Sequence, residues 1–350
     1  MQNSLQLVKN FIAGENNQRI LLYDLLRNDA VTSFFGGEPV NTDNGRRVVF
    51  SSYEPAVDAT RPLVRTPNVE KTIKLDDGRT QRHFRWTIWT SHQRYENEAV
   101  YKKEKEKYIA GFTSWNAEKQ NDLSAQLSQH RREQMELGDI YHFPVGPCNW
   151  LTRIYDEVGL EDFSLYWAYY PELIEQILEC HTLETIAWAE HLPADFEYNA
   201  VFLADDIAFN SGPLLPAGWV AEVYITRLQR ICDAFHKKNM KVLFHSDGNL
   251  NPILDDLVFA GIDGLNPIEI LAGMDVLNIH KKFPDLFMAG GIDVSQLLSF
   301  GTPRAIKDVV KKTIDDAGGR IMIGSSTEVH DAVPLENFLA MREAVIEYKF

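Results

Sequence analysis

The stretch KVLFHSDGNLNPILDDLVFAGIDGLNPIE (241–269) carries the reading of the fold. Val242, Leu243 and Phe244 form a short apolar run, too short for a helix and bounded by turn residues, so it predicts a strand buried on both faces. The run ends abruptly in His245, Ser246, Asp247 and Gly248. Residues 250–260 then read as a helix, and GIDGLN (261–266) as the next strand. Strand, helix, strand within thirty residues is the pattern of a parallel β/α unit.

The pattern repeats in both directions. AVFLA (200–204), LFMAGG (286–291) and RIMIG (320–324) are further short strands. Helices are expected over 217–239, 303–317 and 335–347, and a long amphipathic one over 171–192, opened by Pro171. Nearly every strand is followed by polar residues: Asp205 and Asp206; His245 and Asp247; Asn266 and Glu269; Asp293; Ser325 to Glu328. In a closed (β/α)8 barrel these ends converge on one mouth, where active sites lie. In an open doubly wound sheet only the switch-point ends converge. No GxGxxG follows any strand. The expected fold is therefore α/β, a (β/α)8 TIM barrel. Its main part is expected over 139–350. Residues 1–138 are expected to add helices and a hairpin beside the mouth, with the first barrel strand near 47–53, the whole being one catalytic domain. The first 45 residues read as helix, 72–89 as a hairpin turning at Asp77-Gly78, and the region up to about Glu136 as polar helix ended by Gly138.

Bulk properties narrow the function. The chain has 350 residues and a formal net charge of -15, which disfavours nucleic-acid binding. No stretch approaches a membrane span, and the first residues do not read as a signal peptide. Three cysteines in no metal or disulfide spacing point to a reducing cytoplasm.

At the mouth, His245-x-Asp247 offers an imidazole and a carboxylate within one turn, suited to general base work or to metal ligation. The plainer reading is a rim histidine with Asp247 capping the next helix. Asp205 and Asp206 point to opposite sides of an extended chain, so one is expected to face the mouth and the other to bond backbone. GSSTEVHD (324–331) adds Glu328, with Asp331 read as a helix cap. Trp86 and Trp89, on an aromatic hairpin, either pack against helices or wall a substrate pocket. The expected site is thus Asp205, Asp206 and His245 as catalytic groups, His245, Asp247 and Glu328 as metal ligands, and Trp86, Trp89, Asn266 and Glu269 against the substrate.

The segments KVLFHSDGNLNPILDDLVFAGIDGLNPIE, AGGIDVSQLLSFGTPRAIKDVVKK, VPLENFLAMREAV, VGLEDFSLYWAYYPELIEQIL and FLADDIAFNSGPLLP resemble the uroporphyrinogen decarboxylase superfamily. The resemblance covers about 139–347 and is poor over the first 135 residues. It implies the same barrel and one of two activities: cofactor-free decarboxylation of a porphyrinogen, or zinc-dependent methyl transfer involving a corrinoid on a partner protein. The decarboxylases' arginine-glycine-arginine signature has no counterpart here, which leaves the methyltransferase branch as the nearer one. That branch uses His-x-Cys and a later Cys. His245 matches the histidine, but Asp247 and Thr327 stand at the cysteine positions. Oxygen ligands leave zinc a stronger Lewis acid, suited to polarising an ether oxygen. The resemblance therefore implies a methyltransferase that takes methyl from a small methoxylated donor, aromatic ones included, to a corrinoid protein, as in the first component of an O-demethylase. The alternatives are a metal-independent decarboxylase and a non-catalytic binding barrel.

Overall fold

The structure is a computed structural model and describes residues 3–15 and 19–349. Eight parallel strands close on themselves: β1 (Leu21–Leu22), β2 (Ala59–Thr60), β3 (Tyr141–His142), β4 (Ala200–Ala204), β5 (Lys241–His245), β6 (Gly264–Asn266), β7 (Phe287–Ile292) and β8 (Ile321–Ser325). Six of them run continuously in the order β1-β8-β7-β6-β5-β4. The remaining contacts complete the ring. Tyr23 bridges to Ala59, β2 pairs with β3, and Val145 bridges to Phe202. The chain is a TIM barrel.

Most strands and helices of 139–350 fall where the sequence places them, including Pro171–Glu190, Pro303–Asp316 and Leu335–Glu347. The first 60 residues differ. The stretch expected as a first strand near 47–53 is the helix Gly45–Ala56. Its buried residues are Gly45, Val48, Val49, Phe50, Ser52, Tyr53 and Ala56; the spacing 45, 48, 49, 52, 53, 56 is a helical face, which the β-branched run Val48-Val49-Phe50 disguises. Conversely, the expected helix around Leu21 and Leu26 is two short strands, because an apolar run buried on all sides shows no period. Leu26–Arg27 pairs with Val329–His330 at the mouth end of β8.

The expected placement of the N-terminal helices beside the mouth is corrected for the first of them. Helix Ser4–Ile12 buries Leu7, Val8, Phe11 and Ile12 against Phe202, Leu243, Phe287 and Met322 inside the barrel. Phe11 meets Phe287, the first residue of β7, so the helix plugs the end opposite the mouth. The hairpin region packs on the segment after Arg27. Arg85 and Trp86 bond Asp29, just after Arg27.

The barrel closes through Asp24. Its carboxylate accepts from the Ser325 amide at 2.9 Å and the Ser325 hydroxyl at 2.7 Å, tying β1 to β8. Burial pushes this carboxyl up to about 6. Gly324 permits the approach, since a Cβ there would lie 1.8 Å from the Tyr23 carbonyl oxygen. Among the described residues, no helix is long and apolar enough to cross a membrane.

Candidate active site

The adjacent aspartates after β4 divide their work. Asp205 is fully buried, and its oxygens accept from Leu151 N at 2.9 Å, Thr152 N at 2.8 Å and Thr152 Oγ1 at 2.6 Å. It therefore holds the start of helix Thr152–Val158. Its expected catalytic role is corrected: the carboxylate is turned away from the mouth and its lone pairs are engaged. Asp206 points the other way, toward His245, as alternation along an extended chain requires.

His245 ends β5 with its side chain almost wholly buried. Its Nδ1 lies 2.6 Å from Asn266 Oδ1, and Asn266 Nδ2 donates to the Ala289 carbonyl at 2.9 Å. The second bond orients the amide, so its oxygen faces the imidazole and Nδ1 carries the proton. Nε2 is left with a lone pair. That lone pair faces Asp206 Oδ1 at 3.8 Å, Asp247 Oδ1 at 3.9 Å and Arg61 Nη1 at 3.4 Å. Burial, reinforced by Arg61, pushes the imidazole down to about 4, so it is neutral at pH 7.

Asp247 stands opposite. Burial, reinforced by Asp206 and Glu269, pushes its carboxyl up to about 7. Its Oδ1 is buried with no hydrogen-bond partner among the described residues. Ligand atoms of Asp206, His245 and Asp247 all lie within 4.8 Å of one another. One imidazole nitrogen and two carboxylate oxygens, one of them an unpartnered buried atom, are the donor types of a three-residue zinc site, with Arg61 Nη1 3.4 Å from the same nitrogen. Asn266 then acts on the imidazole from behind, the arrangement that fixes tautomer and ring in metal sites.

Several expected site residues lie elsewhere. Glu328, expected as a metal ligand, is an ion-pair partner instead: Arg27 Nη1 lies 2.5 Å and Arg61 Nη2 3.4 Å from its Oε2. Two guanidiniums already claim that oxygen. Asn266 and Glu269, expected against the substrate, serve protein groups: Asn266 holds His245, and Glu269 accepts from Gly248 N at 2.6 Å. Gly248 is at φ 93, and a Cβ there would meet the Ala208 carbonyl at 2.6 Å, so the turn needs glycine. Trp86 is buried with its Nε1 on Asp29, and the half-exposed Trp89 makes an edge contact with His92.

Sequence reasoning missed Arg61 and Arg27. Arg61 follows a two-residue strand whose Ala59-Thr60 pair is too short to show a pattern. Arg27 lies in the segment misread as helix. Once the strands are placed, position alone marks both, since each follows or ends a strand at the mouth.

The uroporphyrinogen decarboxylase (URO-D) family model matches residues 141–348, more than half of the chain. The protein belongs to the uroporphyrinogen decarboxylase (URO-D) family. Among solved structures it is similar to a methyltransferase from Methanosarcina mazei, with a TM-score of 0.71, 17% sequence identity and 99% of each chain covered. At that identity the likeness is one of fold. No curated protein matched in the sequence comparison.

Proposed function

We propose that this protein is a methyltransferase that moves a methyl group from the oxygen of a small methoxylated compound to a corrinoid carried by a partner protein. The observation that carries the reading is the Nε2 lone pair of His245, facing Asp206 and Asp247 at the barrel mouth with Arg61 beside it. The family membership and the methyltransferase fold neighbour support the class of reaction. His245, Asp206 and Asp247 would hold zinc, and zinc would supply a Lewis acid for an ether oxygen that gains negative charge as its methyl leaves. Asn266 keeps the imidazole in the tautomer such binding needs. Arg61, against the same nitrogen, supplies positive charge toward a departing oxygen.

The test is zinc content and methyl transfer together. The purified protein, reconstituted with zinc, is expected to hold one equivalent and to methylate a cob(I)alamin-loaded partner from a methoxylated aromatic. His245→Ala is expected to lose both. Full transfer by a zinc-free protein would remove the metal from the reading.

A second reading, metal-independent decarboxylation, is favoured by one observation. Arg61 and Arg27 stand beside the cluster and would bind a substrate carboxylate. Carbon dioxide release from a polycarboxylate by zinc-free protein, abolished in Arg61→Ala, would select it.

A further inference from the structure

The ladder between β4 and β5 has a gap, and the site lies in it. Backbone pairing runs as far as Asp205 N, which donates to the His245 carbonyl at 2.9 Å, and resumes at Asn249 N, which donates to the Phe209 carbonyl at 2.8 Å. Between those two bonds Asp206, Ile207 and Ala208 run beside Ser246, Asp247 and Gly248. Among the described residues, no backbone–backbone bond crosses from one set to the other.

Backbone amides in such a place still need acceptors, and here side chains supply them. Asp206 N donates to Thr152 Oγ1 at 2.9 Å, Ile207 N to Ser246 Oγ at 3.1 Å, Asp247 N to Asp206 Oδ1 at 3.1 Å, and Gly248 N to Glu269 Oε2 at 2.6 Å. Two of these four bonds cross the gap. The bond from Asp247 N ends on the Asp206 oxygen that also faces His245 Nε2. The bond from Ile207 N ends on Ser246 and uses no carboxylate. Ser246 is 2% exposed, and its hydroxyl also donates to the Asp247 carbonyl at 2.9 Å. One oxygen atom therefore holds both the residue after Asp206 and the backbone of Asp247.

The site needs such a tie. Ligand atoms of Asp206, His245 and Asp247 lie within 4.8 Å of one another. Two carboxylates do not attract each other, so before a cation arrives their spacing has to come from the backbone that carries them. A metal site is only as exact as the groups that hold its ligands in place.

We propose that Ser246 is a positioning residue, whose hydroxyl sets the separation of the Asp206 and Asp247 carboxylates across the gap between β4 and β5. The inference rests on the reading of Asp206, His245 and Asp247 as a zinc-binding set.

The test measures zinc affinity by chelator competition and the visible spectrum of the cobalt(II)-substituted full-length protein. Ser246→Ala is expected to weaken zinc at least about 10-fold and to shift the cobalt bands, which report ligand geometry. Ser246→Thr keeps the hydroxyl and is expected to stay within about 3-fold of the parent, with the parent's spectrum. In an Asp206→Ala background, where there is no spacing left to set, Ser246→Ala is expected to cost about 3-fold or less. If Ser246→Ala is only partly folded, the rise of its urea midpoint with added zinc gives the affinity instead. Three results would overturn the proposal: affinity and spectrum unchanged in Ser246→Ala; equal losses in Ser246→Ala and Ser246→Thr; or the full loss persisting in the Asp206→Ala background, the mark of a hydroxyl that only supports the fold. His245→Ala tells this failure from that of the zinc reading. Metal held by the parent, lost in His245→Ala and indifferent to Ser246 overturns this inference alone, whereas a parent that holds no metal overturns both.

Discussion

Replacing each of the neighbouring aspartates by alanine separates a structural carboxylate from a site carboxylate. Asp205→Ala leaves Leu151 N–H, Thr152 N–H and the Thr152 hydroxyl without their acceptor. Three buried donors at about 1–3 kcal/mol each come to roughly 6 kcal/mol. Against this, the substitution removes a buried charge. The Asp205 carboxyl is pushed by burial from 3.8 to about 6, and about 2 pH units correspond to about 3 kcal/mol. The net expectation is a loss of about 2–4 kcal/mol. Asp206 is 43% exposed and accepts one bond of 3.1 Å, from Asp247 N, so Asp206→Ala is expected to cost less than about 1 kcal/mol.

Urea unfolding, with the slope m checked for constancy, gives the two stabilities. Zinc competition against a chelator gives the other half: Asp205→Ala should retain affinity, and Asp206→Ala should lose at least about 10-fold. The pH dependence has a definite sign. A carboxyl whose folded pKa is raised holds its proton longer in the native state, so its contribution falls as pH rises from 3.8 to about 6. Asp205→Asn should lack that decline relative to the parent protein. Equal destabilisation by the two alanine substitutions, or zinc loss in Asp205→Ala with stability intact, would refute the division of roles.

Three further outcomes are expected. His142 has its folded pKa depressed from 6.5 to about 3, so the unfolded state takes up the proton first and stability is lost as pH falls through that window, by up to about 5 kcal/mol; His142→Phe should flatten the acid limb of the stability curve, and an unchanged limb would contradict the burial argument. Asn266→Leu frees the imidazole and should weaken zinc about 10–100-fold, measured by chelator competition; undiminished affinity would show that the amide does not set the tautomer. Arg61→Ala removes a cation 3.4 Å from Nε2 and should tighten zinc at least about 10-fold, a gain that would be absent if the guanidinium swings clear when metal binds.

The legible part of the fold is the part whose strands are long enough to have a composition. β4, β5 and β8 each give five residues to the sheet, and β7 six. Their apolar runs and polar ends are visible in the sequence. β1, β2 and β3 give two residues each, fewer than any periodicity needs, and two of them lay hidden in or beside segments read otherwise. The site follows the same division. His245, Asp206 and Asp247 are marked by their place after long strands. The hydrogen-bond economy around them is not: whether a carboxylate faces the mouth, as Asp206 does, or caps a helix 53 residues away in sequence, as Asp205 does for Thr152, depends on which loop packs beside it. Glu328 shows the limit most clearly, since its pairing with Arg27 and Arg61 joins three segments that only the closed barrel brings together.

Net charge is a poor guide to the field at such a mouth. The chain carries -15 formally, and on that ground an anionic substrate looks disfavoured. Locally the balance is different. Arg27 and Arg61 share one glutamate, Glu328, and burial depresses the Arg27 guanidinium below its ordinary value. Two cations on one anion leave an uncompensated positive charge, directed by Arg61 at the imidazole. On the other side, burial, reinforced by the nearby Asp206 and Glu269, raises the Asp247 carboxyl to about 7. The mouth is thus split into a cationic half and an anionic half with a neutral imidazole between them. A divalent ion relieves the anionic half by drawing charge onto two carboxylates, and a substrate oxygen that becomes negative relieves the cationic half. Each half lacks what the other step of an ether cleavage would bring, and that complementarity, more than the histidine alone, is the physical case for chemistry at this end of the barrel.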